Sequence, residues 1–310
     1  MLSNSSEILD NFKSLHQPVP SWLLITVLTF GLISNCLSIF GFRQDRLRKK
    51  SIFIYLRFLS FSQIFLPLID LVEFVLIYTF NLSIYKHFPS QLLTYFIFTI
   101  TDISNFMIIP VSIDRTLYLK WKNLSIKFCN PKIAYGIIIT IVGTMLFLNS
   151  HILLFFRGEN SLSTLTKMEK IYIKFFHEYF FWTDVFIYWI LPLCITLICS
   201  FIMIKHLFLN KVENRNEKCV VVNRRIRDSY ENSQKRITLI ILMLNFLFYI
   251  LVSPHVLIRI AQRFNVTSFI ASKNAYAIAC LFYHAYYTIQ FLIYVFFYKK
   301  FKEPFKQLFR

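Results

Sequence analysis

Two pairs of ionisable residues stand at helical spacing inside stretches that are otherwise apolar. Asp70 and Glu73 are three residues apart and His255 and Arg259 four apart, so each pair shares one face of a helix. Asp102, Asp184 and His284 are further titratable groups within apolar runs, and Asp114-Arg115 is an adjacent acid and base at the end of another. Such a charge is costly in lipid unless it faces a bundle interior or water, and by default it marks function. Carboxylates on one wall with His and Arg on another would suit a zwitterionic or peptide ligand. The other reading is that these groups satisfy one another, as polar side chains between membrane helices do. Covalent chemistry has little to work with. There is no Gly-rich phosphate loop, no HExxH, and no Ser or Cys nucleophile with an evident base, so neither an enzyme nor a cofactor is expected. The six cysteines (Cys36, Cys129, Cys194, Cys199, Cys219 and Cys280) form no CxxC pair, so no metal or redox motif is visible. Those inside apolar runs read as small hydrophobes.

The elements that must position these groups are membrane helices. Of the 310 residues 56% are apolar, with 36 Phe and 17 Tyr. Only 16% are charged, against about 25% in an ordinary soluble domain. The net charge of +18 comes from basic residues lying between apolar blocks, which points to a membrane rather than to nucleic acid. A helix needs about 20 mostly apolar residues to cross the hydrocarbon core. Stretches at approximately 21–42, 52–79, 91–119, 131–156, 179–208, 237–262 and 275–298 meet that requirement. Their backbone polar groups must be satisfied internally, so the expected fold is an all-α seven-transmembrane bundle. Residues 1–20 lack a basic segment followed by an apolar one and do not read as a cleavable signal peptide; the first span then acts as the insertion signal. No internal repeat is present.

Lys and Arg set the orientation. Segments 43–50, 116–132, 205–236 and 299–310 carry 23 of them and the opposite segments 8, which places the first group in the cytoplasm and the N-terminus outside. Sequons at Asn4, Asn81 and Asn265 fall on the predicted outer side and are candidate glycosylation sites; a fourth, at Asn123, falls inside. The basic inner loops are attracted to anionic membrane lipid.

The end of the third span, PVSIDRTLYLKW (110–121), resembles the Asp-Arg-Tyr motif of rhodopsin-like G-protein-coupled receptors, with Asp114, Arg115 and Thr116 in its three places. Other spans resemble that family in order. GLISNCLSIFGF (31–42) is similar to its Gly-x-x-x-Asn segment, and LSFSQIFLPL (59–68) to its Leu-Ala-x-x-Asp stretch. Pro192 stands at a plausible site for the fifth span's proline. FLFYILVSPHV (246–256) is similar to Phe-x-x-x-Cys-Trp-x-Pro with Phe248 and Pro254 kept, and QFLIY (290–294) resembles Asn-Pro-x-x-Tyr with Tyr294 kept. KKFKEPFKQLF (299–309) suits a short amphipathic helix along the inner membrane surface. The resemblance implies a plasma-membrane receptor that senses an extracellular ligand and activates a heterotrimeric G protein. It also implies that Arg115 is held by the neighbouring carboxylate at rest and meets the G protein once the helices part. Pro254, Phe248 and Tyr294 are then expected in the activation machinery.

Departures from the pattern qualify these expectations. Gln63 and Gln290 replace the Asp and Asn of the family's internal sodium site, and a neutral amide offsets a cation's dehydration less well than a carboxylate. Val252 stands where a Trp is common, and Phe291 replaces the last span's proline. No Cys lies near Ser90 or in 157–178 for the usual outer disulfide. The tail has no Ser, Thr or Cys, which leaves Ser229 and Ser233 as phosphorylation candidates. The resemblance puts the ligand among the outer halves of the helices, where Asp70, Glu73, Asp102, Asp184, His255, Arg259 and His284 are the candidates. An amine ligand is disfavoured because Ile97 occupies the family's amine-binding position, and retinal because the outer part of the seventh span offers no interior Lys. A peptide or small zwitterion fits better. A non-signalling seven-helix binding protein and a small-molecule transporter stay open as alternatives, although no repeat or pair of matching broken helices favours transport.

Overall fold

The computed structural model describes residues 21–44, 47, 50–80, 90–155, 167–213, 224–264, 273–298 and 301. Seven of its helices are long and apolar enough to cross a membrane. They are α1 (Ser21–Gly41), α2 (Ser51–Phe80), α3 (Ser90–Phe106, resuming as Ile108–Lys120), α4 (Pro131–Phe155), α5 (Lys167–Phe175 through Leu191–Glu213), α6 (Arg224–Arg263) and α7 (Lys273–Phe297). A short helix, Lys122–Phe128, joins α3 to α4. No strand occurs among the described residues. The protein is a multi-pass membrane protein built as a seven-helix bundle.

Two helices run further than the apolar stretches that announced them. α5 begins at Lys167 and α6 at Arg224, where the sequence placed spans from about 179 and 237. Hydropathy marks only the part of a helix that lipid selects; Lys, Glu and Arg are good helix formers and carry the helix on into the polar zone.

Around the bundle α6 packs along α7, α7 along α1, and α1 along α2. α3 is the central strut, touching α2, α4, α5 and α6. The outward faces are greasy: Ile139, Phe147 and Leu154 of α4 are 70–77% exposed. In water an apolar surface of that extent would draw the helices into aggregates, whereas lipid covers it at no cost.

Proline shapes two of the helices. Pro110 has no N–H, and its ring crowds the carbonyl four residues back, at Phe106. The helix is interrupted at the one residue between the two stretches, Met107, whose φ of −62° and ψ of −16° keep the axis nearly continuous. In α5 two π-helical turns, Phe176–Phe180 and Phe186–Ile190, bracket the short α-helical stretch Phe181–Val185. The second lies just before Pro192, which cannot donate to the carbonyl of Tyr188.

Gly41 ends α1 against the ring of Phe301, which also packs on Phe42, Phe291 and Tyr294. A methyl group at position 41 would meet that ring at 2.3 to 2.8 Å. Gly41→Ala is therefore expected to lower the melting temperature of the purified protein. Overpacking costs about 1–3 kcal/mol and exceeds the roughly 0.5–1 kcal/mol gained by removing a helical glycine. An unchanged or raised melting temperature would show that Phe301 does not seat on this glycine.

Candidate functional site

The candidate ligand-binding residues lie towards one end of the bundle and the Asp-Arg pair at the other. At the first end a cavity of about 410 Å³ is lined by Phe98 of α3, Phe176, Phe180, Phe181 and Asp184 of α5, and Arg259, Gln262 and Arg263 of α6. Asp184 is almost wholly buried, with 3% of its side chain exposed, and its Oδ2 accepts a hydrogen bond from Arg259 Nη2 at 3.2 Å. The guanidinium also lies 5.5 Å from the centre of the Phe181 ring, a distance at which a cation is drawn to the ring's negative face. The π-turns on either side of Phe181–Val185 set the facing of Phe176, Phe180, Phe181 and Asp184. Each admits one extra residue and so turns what precedes it to a new side.

Asp102 sits one turn along α3 from Phe98, on the same face. It is buried; its Oδ2 accepts from Asn149 Nδ2 at 2.8 Å, and its Oδ1 has no hydrogen-bond partner. It lies within electrostatic reach of Asp184 and Arg259.

The remaining candidates form a second group across α2, α6 and α7. His284 Nε2 is 3.5 Å from Asp70 Oδ2. Glu73 is buried on the neighbouring turn of α2. His255 stacks on Tyr283, with centroids 5.1 Å apart, and tilts against Tyr276. His255 thus meets α7, while Arg259 donates to Asp184 of α5 and lies within electrostatic reach of His255 and Tyr276. Asp184 with Arg259, and Asp70 with His284, are matched across helices, which is the mutual-pairing reading of the sequence.

Between the two ends runs a buried aromatic column. Tyr287 donates to Tyr283 through their hydroxyls. Tyr286 packs edge-on to Phe248, with centroids 5.7 Å apart. Asn35 Nδ2 donates to the Gly31 and Tyr287 carbonyls at 2.9 and 3.1 Å, tying α1 to α7. Tyr294 donates to Gln290 Oε1 at 3.4 Å and packs edge-on to Phe42. Pro254 lies inside α6, next to Ser253, which accepts from Trp189 Nε1 at 3.1 Å.

At the far end Arg115 is buried and clamps α3 to α6. Its Nε donates to Thr238 Oγ1 at 2.8 Å, Nη1 to Gln234 Oε1 at 2.8 Å, and Nη2 to the Gln234 carbonyl at 2.5 Å. Tyr118 lies under the guanidinium at 5.0 Å. Asp114 is buried beside it and is met by Ser51 and Cys129. Burial, with the Asp114 carboxylate close by, pushes the Cys129 thiol up to about 12, so it stays protonated and able to donate. Thr116 donates to the Ser112 carbonyl at 2.8 Å. Ser112 in turn donates to Asn245, and Asn245 to Ser200, linking α3, α6 and α5. The expectation that Arg115 is held by its neighbouring carboxylate left out these partners on α6.

Sequence reasoning also missed Phe98, Phe176, Phe180, Phe181, Gln262 and Arg263 as cavity residues and Asn149 as a partner of Asp102. The phenylalanines carried no signal among 36. Asn149, an amide within an apolar span, and Gln234 with Thr238 at i, i+4 could have been singled out. Asn4, Asn81 and Asn265, and the amphipathic stretch after Phe301, lie outside the described residues. Among the described residues no group of three or more His, Cys, Asp or Glu is placed to hold a metal ion. The chain matches no model of a known protein family, and a search among curated proteins finds no similar sequence.

Proposed function

We propose that this protein is a rhodopsin-like G-protein-coupled receptor of the plasma membrane. In this reading it carries an outward ligand cavity around Asp184 and Arg259 and an inward coupling face around Arg115. The observation that carries the reading is the Arg115 clamp. A buried guanidinium with three hydrogen bonds to α6 holds two helices together through contacts that a rotation of α6 would break. The clamp sits at the end where the basic loops cluster, which is the cytoplasmic end by the charge rule. A ligand that favours the parted arrangement then favours G-protein binding, and the G protein favours the ligand in return.

The test is nucleotide exchange on a panel of heterotrimeric G proteins, in membranes with the wild-type chain or Arg115→Ala. Basal or ligand-stimulated exchange in the wild type, lost in the variant at equal surface expression, is the expected outcome. Exchange at full strength in Arg115→Ala would remove Arg115 from the coupling role. No exchange with any G protein across a broad ligand library would favour a non-signalling binding protein or a transporter.

A further inference from the structure

The cavity at the Arg259 end has an uneven balance of charge. Asp184 lines it and is buried, and a second buried carboxylate, Asp102, lies within electrostatic reach of Asp184 and Arg259; the cation nearest them, the part-buried Arg259, is already spent on Asp184 at 3.2 Å. Asp102 is supported by a neutral amide, Asn149, at one oxygen, while its Oδ1 is enclosed and has no donor. A buried acceptor without a donor is costly, and a buried carboxylate without a cation more so. Arg263, which also lines the cavity, carries the opposite charge: it is exposed, and among the described residues no acid is paired with it. Phe98, Phe176 and Phe180 line it as well and pack as one cluster, the latter two stacked at 5.2 Å. The volume of about 410 Å³ lies within the range of small-ligand sites.

We infer that the cavity takes an aromatic zwitterion of amino-acid or short-peptide type, bound ammonium end first. Its positive nitrogen lies against Asp184, in the field of Asp102 behind it, its ring among Phe98, Phe176 and Phe180, and its carboxylate at Arg263. The ammonium supplies the positive charge that the second carboxylate lacks. The phenylalanine faces add cation–π attraction as well as apolar contact. Arg263, being in water, contributes more to orientation than to affinity. Asp102 lies five residues along from Ile97, so the absence of an acid at Ile97 does not leave this helix without a counter-charge. The inference rests on the outer cavity being a binding site, and its test does not involve a G protein.

Three forms of one dipeptide, Phe-Leu, separate the poles: the free form is zwitterionic, its C-terminal amide cationic, and its N-acetyl derivative anionic. Melting of the purified full-length protein is followed with each at millimolar concentration. The free dipeptide is expected to raise the melting temperature by about 3 °C or more, the amide by less, and the N-acetyl form not at all. Arg263→Gln, an exposed substitution, should bring the free dipeptide down to the level of the amide. Asp102→Asn should reduce the shifts of both. An N-acetyl form as effective as the amide on the wild-type protein overturns the inference, and so does the absence of a shift with all three. The wild-type series decides the matter even if Asp102→Asn does not fold. Shifts without nucleotide exchange would keep the ligand class and overturn only the receptor reading.

Discussion

Arg259→Met is expected to lower the stability of the purified protein by roughly 3–5 kcal/mol. The substitution removes the cation that sits 3.2 Å from Asp184 and strands that carboxylate, whose side chain is 3% exposed. Methionine keeps most of the side chain's volume and its contact with Phe181, so the loss reports charge rather than a hole in the packing. The companion variant Arg259→Met with Asp184→Asn has no stranded charge at that pair and should recover much of the loss, because replacing both partners of a buried pair is far less costly than removing one. Thermal melting of the two singles and the double completes the cycle. A double variant no more stable than Arg259→Met would mean that the 3.2 Å pair does not hold α5 to α6.

The second large effect concerns the opposite end and the proposed signalling. Thr238→Ala removes the acceptor of Arg115 Nε, and a hydrogen bond to a charged group contributes about 1.5–3 kcal/mol. In a closed–open equilibrium that is a factor of about ten or more in the open population, so basal nucleotide exchange should rise accordingly. Gln234→Glu should act in the opposite sense. It replaces a neutral acceptor 2.8 Å from Nη1 with a carboxylate, which makes the bond charge-assisted and stronger. Opposite displacement of basal exchange, at matched expression and with the same maximal response, is the outcome that identifies a latch. If both variants lower exchange, Gln234 and Thr238 belong to the docking surface for the G protein instead.

How much of this was legible in the sequence depends on the distance over which each feature is encoded. The spans are local, and α4, at Pro131–Phe155, lies within a residue of where hydropathy put it. The charged residues worth attention were also local, because a carboxylate among apolar neighbours is conspicuous whatever it touches. Their partners are a different matter. Asp184 and Arg259 are 75 positions apart and Arg115 and Gln234 119 apart, and nothing in either neighbourhood names the other. The cavity wall was hidden for a third reason. In a chain with 36 phenylalanines, those facing a cavity and those facing lipid have the same composition around them. Only the irregular winding of α5 decides which is which, and an unbroken apolar run carries no periodicity from which a π-turn can be read.

That winding also limits what can be transferred to this helix from any other. Counting back from Pro192 along an ideal helix, each residue turns by about 100°. With one extra residue housed in Phe186–Ile190, Asp184 stands where the residue seven before the proline would stand, not the eighth. Beyond Phe176–Phe180 the offset is two. A gapless alignment, a homology-built template or a chimaera grafted at Pro192 would therefore assign the wrong residues to the cavity, while appearing correct throughout the half of the helix that follows the proline.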